Sequence, residues 1–172
     1  QKGSYVGPEY LRFDFSHFSK MNEEELAAVE EKVNAKIKEN VALQEFRDLP
    51  IAEATEKGAM MLFGEKYGDK VRMIQFGTSK ELCGGTHVKS TGEIGHFKIT
   101  SESSTAAGIR RIEAISGDKS AEYFQNLERQ LAELSQLLKS KDLVKKCMFV
   151  LNIPKVSQIP FSISIQHFFI QV

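Results

Sequence analysis

The segment from Glu81 to Val88, ELCGGTHV, places a thiol and an imidazole four positions apart with two glycines between them. Each glycine costs about 1 kcal/mol inside a helix, so Cys83 and His87 are predicted to lie on a tight turn. Thiolate and imidazole are zinc ligands, but a structural zinc site needs four protein ligands and a catalytic site needs three plus water. The segment therefore supplies half of a metal site.

The remaining histidines, His17, His96 and His167, include no second pair at ligand spacing. An isolated Cys-x-x-x-His also has a plainer interpretation, in which Cys83 is a buried core thiol and His87 is a turn histidine. The spacing alone leaves both interpretations open.

Composition limits the classes of protein that need to be considered. The chain has 172 residues, is 41% hydrophobic, and has 23 basic and 23 acidic side chains. This length allows one core plus an appendage, and the charge balance means that any RNA contact is a local patch. Two cysteines without a disulfide framework or secretory leader predict a soluble cytoplasmic protein with no membrane partner.

The elements around the turn predict an α+β fold: a curved antiparallel sheet packed with helices, plus a long C-terminal helix. Alternating apolar residues predict strands in the segments 3–16, 71–76, 81–89, 95–101 and 108–115. Asn22 and Glu25 form a capping-box pattern that begins a helix over 22–40, and a short helix is expected over 51–57. The hydroxyl-rich stretch 101–105 is expected to be a loop.

The C-terminal third divides into a helix and an atypical tail. Leucines and one phenylalanine recur at heptad spacing in a helix expected from 118 to about 146: Phe124, Leu127, Leu131, Leu134 and Leu138. This seam suits either a partner helix or packing on its own domain. From Cys147 the chain is apolar and β-prone, with Lys155 as the only charged residue, and a non-native end is one hypothesis for 147–172.

Several sequence blocks together resemble the editing domain of alanyl-tRNA synthetases. They are QKGS at Gln1 to Ser4, LRFDFSHF at Leu11 to Phe18, ELCGGTHV at Glu81 to Val88, TGEIG at Thr91 to Gly95, and GIRRIEA at Gly108 to Ala114. Threonyl-tRNA synthetases share the Cys-x-x-x-His motif, but the first and last blocks favour the alanine family. The resemblance covers residues 1 to about 145 and implies that 1–117 is the editing, or second additional, domain and 118–146 a connecting helix.

The resemblance implies hydrolysis of the ester that joins serine or glycine to alanine-specific tRNA. It also implies that Cys83 and His87 are catalytic zinc ligands, that Gln1 lies near the bound amino acid, and that a His-x-x-x-His pair precedes Gln1. Because the sequence begins with Gln1 rather than methionine, we expect it to be a piece of a longer protein. Zinc binding by this half site alone is expected to be weak or lost.

The ester substrate that the resemblance implies gives a role to further polar groups. Gly84, Gly85 and Thr86 are candidate contacts to the ester carbonyl or the substrate hydroxyl. Adjacent residues of a strand point to opposite faces, so Arg110 is the candidate tRNA-phosphate contact and Arg111 is expected to pair with a carboxylate.

The partners implied by the resemblance are the acceptor end of alanine-specific tRNA and the rest of an ATP-dependent synthetase chain, in the cytoplasm. Two alternatives remain at this point. One is a free-standing deacylase with the same chemistry, and the other is a non-catalytic module that docks tRNA or links domains.

Overall fold

The computed structural model describes residues 1–61 and 67–151, which divide into two compact units, Gln1–Phe124 and a second that begins at Gln125. The elements in chain order are β1 (Gly3–Val6), β2 (Leu11–Ser16), α1 (Glu23–Lys38), β3 (Leu43–Pro50), α2 (Ile51–Glu56), β4 (Lys70–Phe76), β5 (Ser79–Leu82), a 3-10 turn (Thr91–Ile94), β6 (Phe97–Ala106), β7 (Ile109–Ser116), α3 (Asp118–Leu138) and α4 (Leu143–Val150). None of the helices in the described ranges is both long and apolar enough to cross a bilayer.

The predicted α+β class is confirmed, but the strands form two antiparallel sheets instead of one. The first has the order β1-β2-β7-β6 and the second has the order β3-β4-β5. The expected loop 101–105 continues β6, and the expected strand 81–89 ends at Leu82. Alternation of apolar residues identifies a strand without identifying its partner, so the division into two sheets was not visible in the sequence.

Helix α1 covers one face of the first sheet and confirms the helix predicted over 22–40. Its capping box is formed: Asn22 Oδ1 accepts from the Glu25 N–H at 2.8 Å, and the Glu25 carboxylate accepts from the Asn22 N–H at 2.9 Å. The core beneath the helix is built from its apolar stripe and the facing strands: Leu26, Val29, Val33, Ile37, Phe97, Ile99, Ile112 and Ala114.

Polar side chains of α1 also pair with the backbone of β6, an edge strand. The Asn34 side-chain amide donates to the Phe97 carbonyl at 2.8 Å and accepts from the Phe97 N–H at 2.9 Å. Glu30 accepts from the Ile99 N–H at 2.8 Å and from Lys98 Nζ at 3.0 Å. The helix thus occupies backbone groups that an edge strand would otherwise offer to another chain.

We expect Asn34→Ala to lower the free energy of unfolding by about 2–3 kcal/mol, because it leaves the N–H and the carbonyl of buried Phe97 without their partner. Urea titration measures the change. Lys32→Ala, at an exposed position of the same helix, is the control and should stay within about 0.5 kcal/mol of the parent chain. Equal stability of the two variants would contradict this account of the edge.

The second sheet packs with α2 around its own core of Leu49, Ala54, Ala59, Val71, Met73 and Leu82. Its strand β3 carries an irregularity. Phe46 pairs with Met73 and Leu49 pairs with Val71, so Arg47 and Asp48 together stand opposite the single residue Arg72. This β-bulge places Asp48 at φ 53°, in the left-handed region.

The expected long C-terminal helix is interrupted. Helix α3 ends at Leu138, where Lys139 adopts φ 49°, and α4 begins after Asp142, whose side chain accepts from the Lys145 N–H at 2.9 Å. Cys147 to Val150, expected to be β-prone, lie in α4. The rest of the apolar tail, 152–172, falls outside the described residues, so its origin stays a prediction.

Four of the five residues of the heptad seam are exposed, and Leu138 is half-buried. Phe124 and Leu127 are 37% and 38% exposed, and Leu131 and Leu134 are about half exposed. Docking of a partner helix therefore remains one of the two interpretations of this seam, beside packing on its own domain.

Candidate functional site

The Cys83 to His87 segment is an irregular loop that leaves the end of β5. The Cys83 N–H donates to the Arg72 carbonyl at 3.2 Å, and after this bond the chain departs from the sheet. It returns where the Leu43 N–H donates to the Lys89 carbonyl at 2.8 Å. Cys83 is half-buried and His87 is exposed. The sequence predicted a tight turn here, whereas the segment is an irregular loop that is anchored at both ends.

Arg72 holds this loop in place, a role that sequence reasoning missed. Its Nη1 donates to the Cys83 carbonyl at 2.8 Å and to the Gly85 carbonyl at 2.5 Å, while its Nε donates to Glu45 Oε1 at 2.6 Å. A charged donor gives stronger hydrogen bonds than a neutral one. The signal in the sequence was an arginine inside the largely apolar strand segment Val71 to Phe76.

Inside the loop, one glycine amide is engaged and the other is free. The Gly85 N–H donates to Cys83 Sγ at 3.4 Å. The Gly84 N–H makes no hydrogen bond within the described residues, and the space beside its Cα is open. Thr86 is exposed. Gly84 and Thr86 are therefore the loop positions whose polar groups remain available to a ligand.

His87 presents its imidazole beside Phe76, with ring centroids 6.5 Å apart. Across residues 1–61 and 67–151, no three histidine, cysteine, aspartate or glutamate side chains group as a metal site. Cys83 and His87 are donors of the right chemical type for zinc, but they fill only half of a zinc coordination shell.

The loop borders an open pocket of about 530 Å³. One side is Gly84, Gly85 and Thr86, and the other is built from β3 and β4: Arg47, Asp48, Lys70, Val71 and Arg72. Three of the predicted substrate contacts thus share one cavity with three cations that the sequence did not single out.

Gln1 and Arg110 lie elsewhere in the first unit. Gln1 is exposed ahead of β1, and no hydrogen bond joins it to the loop. Arg110 shares the α1-covered face of the first sheet with Ile112 and forms a bidentate pair with Glu102 at 2.5 and 2.7 Å. Their side chains are 13% and 2% exposed. The contact of Arg110 with tRNA phosphate remains a prediction, and the pairing of Arg110 with Glu102 does not favour it.

Arg111 pairs with Asp14 through two hydrogen bonds of 2.7 Å, so the expected carboxylate partner is present. On both sheet faces, the arginine hydrogen bond holds the pKa of the carboxyl below its usual value. This is the case for Glu102 beside Arg110 and for Asp14 beside Arg111.

These lowered pKa values make the stability of the fold acid-sensitive. A carboxyl with a lower pKa in the folded state stabilises the fold above its unfolded pKa, and this contribution is lost as the pH falls through about 4.5 and below. We expect Glu102→Gln to be less stable than the parent at pH 7, with a gap that narrows steadily toward pH 3. Urea midpoints between pH 7 and 3 measure it, and Glu133→Gln on the exposed face of α3 is the control. A constant gap would contradict the prediction.

Comparisons with known proteins agree with the motif blocks. A family model described as the threonyl and alanyl tRNA synthetase second additional domain matches residues 71–113, from β4 through the loop to β7. The alanine–tRNA ligase of Flavobacterium psychrophilum is 60% identical over 146 residues, covering 84% of this chain and 16% of the relative. Those of Cytophaga hutchinsonii and Bacteroides fragilis are 60% and 61% identical over 148 and 137 residues, covering 84% and 80% of this chain and 17% and 16% of each relative.

The chain spans about a sixth of the length of these curated relatives. The match includes the loop, the Arg72 strand and both strands that follow. The chain therefore belongs to the alanyl-tRNA synthetase family, in which it corresponds to a segment containing the second additional domain.

Proposed function

We propose that this chain is the editing part of an alanyl-tRNA synthetase and hydrolyses the ester of seryl- or glycyl-tRNA specific for alanine. The observation that carries the proposal is the Cys83 to His87 loop, held by Arg72 at the edge of an open cationic pocket. Within five consecutive residues the loop carries a half-buried thiol, an exposed imidazole and a free backbone amide. These groups supply part of the donor set that ester hydrolysis at a metal requires.

The physical need for such a site comes from the size of alanine. A pocket that accepts alanine also admits the smaller glycine, and serine differs from alanine by a single hydroxyl. Differences of this size give discrimination of only about 10- to 200-fold, so a second site must remove what the first accepts.

Each loop residue has a separate task in this proposal. The free Gly84 N–H donates to the ester carbonyl oxygen, where negative charge develops during hydrolysis, and the Thr86 hydroxyl contacts the side chain of the bound amino acid. Cys83 and His87 would hold zinc, together with ligands from outside the described residues. When bound, zinc would supply either polarisation of the carbonyl or a water of lowered pKa.

The activity of the whole synthetase is also a proposal for this chain. The relatives are named alanine–tRNA ligases, and we propose that the longer protein joins alanine to its tRNA with ATP, while this segment binds the acceptor end. A cytoplasmic location remains the expectation drawn from the sequence.

The test compares this chain with a form extended to include the residues that precede Gln1. Both are incubated with alanine-specific tRNA that carries either serine or alanine. The amount of ester that remains is measured over time. The proposal expects rapid loss of serine, but not alanine, with the extended form and little hydrolysis with the present chain. Equal loss of serine and alanine would contradict it.

A second candidate is a docking module without activity of its own, favoured by the presence of only two suitable ligands among the described residues. Hydrolysis by neither form, together with binding of uncharged tRNA by both, would favour this candidate.

A further inference from the structure

The pocket beside the loop carries charges that the hydrolytic chemistry does not use. The loop supplies Gly84, Gly85 and Thr86, and the strands supply Arg47 and Lys70 at the opposite side. We infer that Arg47 and Lys70 bind a backbone phosphate of the RNA strand whose 3′ ester lies at the loop. This inference rests on the proposed function, because it names the part of the substrate held next to the ester.

The β-bulge builds this side of the pocket. Two residues, Arg47 and Asp48, occupy the space opposite Arg72, and the left-handed backbone of Asp48 is an uncommon conformation for a residue other than glycine. Bulges redirect side chains and are frequent beside functional sites. Here the redirected Arg47 side chain is 74% exposed and lines the pocket.

The pocket and its rim carry three cations, Arg47, Lys70 and Arg72, against two carboxylates, Asp48 and Glu45, so one positive charge is in excess among these residues. Glu45 accepts hydrogen bonds from both Arg47 and Arg72, and these bonds lower its pKa, so the carboxylate is shared by two guanidinium groups. Lys70 is exposed and has no carboxylate partner within residues 1–61 and 67–151. Lys70 and the outer edge of Arg47 are thus available to an anion.

The lining of the pocket favours the RNA backbone over a base. None of the described residues that line it is aromatic, so these side chains offer no ring on which a base would stack, whereas cations suit phosphate oxygens. A phosphate contact is independent of base identity and fixes the position of the strand. It would hold the terminal nucleotide so that its ester reaches the free Gly84 N–H.

The test measures binding of the complete chain to an RNA hairpin without an attached amino acid. The hairpin copies the acceptor stem of alanine-specific tRNA with its single-stranded CCA end. Affinity is measured between 50 and 300 mM KCl for the parent, Lys70→Gln, Arg47→Gln and Lys38→Gln. Lys38 lies exposed in the last turn of α1, away from the pocket lining, and is the matched control.

We expect Lys70→Gln and Arg47→Gln each to weaken binding about three- to tenfold at low salt. Each should reduce the slope of log K against log salt by at most about 0.7, the value for one single-strand phosphate contact, because the two cations share one phosphate. Lys38→Gln should keep the parent slope and Lys70→Arg should restore it. A Lys70→Gln slope equal to that of Lys38→Gln, or no RNA binding by the parent, would overturn the inference.

Inorganic phosphate alone forms a second arm, because a free anion has the same chemistry as a strand phosphate. Binding at least 100-fold weaker than that of the hairpin supports the strand assignment, while equal affinity overturns it. The RNA carries no aminoacyl ester, so the binding result is independent of ester hydrolysis. Loss of the phosphate contact and failure of the deacylase proposal are therefore distinguishable.

Discussion

Replacing Arg72 by glutamine is expected to slow hydrolysis of serine-charged, alanine-specific tRNA about 10- to 100-fold. The protein used is the form extended to include the residues that precede Gln1. Arg72 touches no substrate in our account; it positions the loop through the carbonyls of Cys83 and Gly85. Hydrogen bonds from a charged donor contribute about 1.5–3 kcal/mol, and a small displacement of a reacting group costs up to about 100-fold in rate. The measured quantity is the rate constant at saturating tRNA, since positioning affects kcat more than KM.

A second readout separates loop positioning from general loss of structure. With Cys147 replaced by serine, alkylation of Cys83 by iodoacetamide should be several-fold faster in Arg72→Gln than in the parent, because the loop is no longer held. Arg129→Gln on α3 is the matched control, since Arg129 is exposed and hydrogen-bonds Asn126 of the same helix. Parent-like hydrolysis and alkylation in Arg72→Gln would refute the positioning role.

Cys83→Ala is expected to have the largest effect, reducing hydrolysis by about 1,000-fold or more in the same extended protein. Lewis-acid stabilisation by a metal contributes several kcal/mol to the transition state, and each 1.36 kcal/mol is tenfold in rate. The substitution takes away the one sulfur ligand that this loop offers. Seryl-tRNA hydrolysis under single-turnover conditions measures the loss.

The chain contains a matched control for this variant. Cys147 is the other free cysteine and lies exposed in α4, so Cys147→Ala should hydrolyse seryl-tRNA at the parent rate. Competition with a zinc chelator should show weaker zinc retention in Cys83→Ala than in Cys147→Ala. Hydrolysis by Cys83→Ala at the parent rate would contradict a role for Cys83 in the reaction.

Local patterns predicted the elements that depend on neighbours in sequence. The capping box of Asn22 and Glu25 and the apolar stripe after it located α1 to within two residues at each end. The two glycines between Cys83 and His87 predicted the loop, because they disfavour a helix there. These features are set by contacts between residues less than about five positions apart.

Features that depend on distant residues were not visible in the sequence. The pairing of β3 with β4 created a second sheet, and the bulge at Arg47 and Asp48 arises from the register of that pair. The Arg72 hydrogen bonds to the loop join residues 11 and 13 positions apart. The motif located the donors, and tertiary packing determined which side chains hold the loop and line the pocket beside it.

X-ray absorption at the zinc edge of the extended protein tests the central claim most directly. Sulfur and imidazole ligands differ in distance, at about 2.3 Å and about 2.0–2.1 Å, so the spectrum counts them separately. We predict one sulfur ligand together with nitrogen ligands, and loss of the sulfur in Cys83→Ala but not in Cys147→Ala. A zinc shell without sulfur in the parent protein would contradict the account.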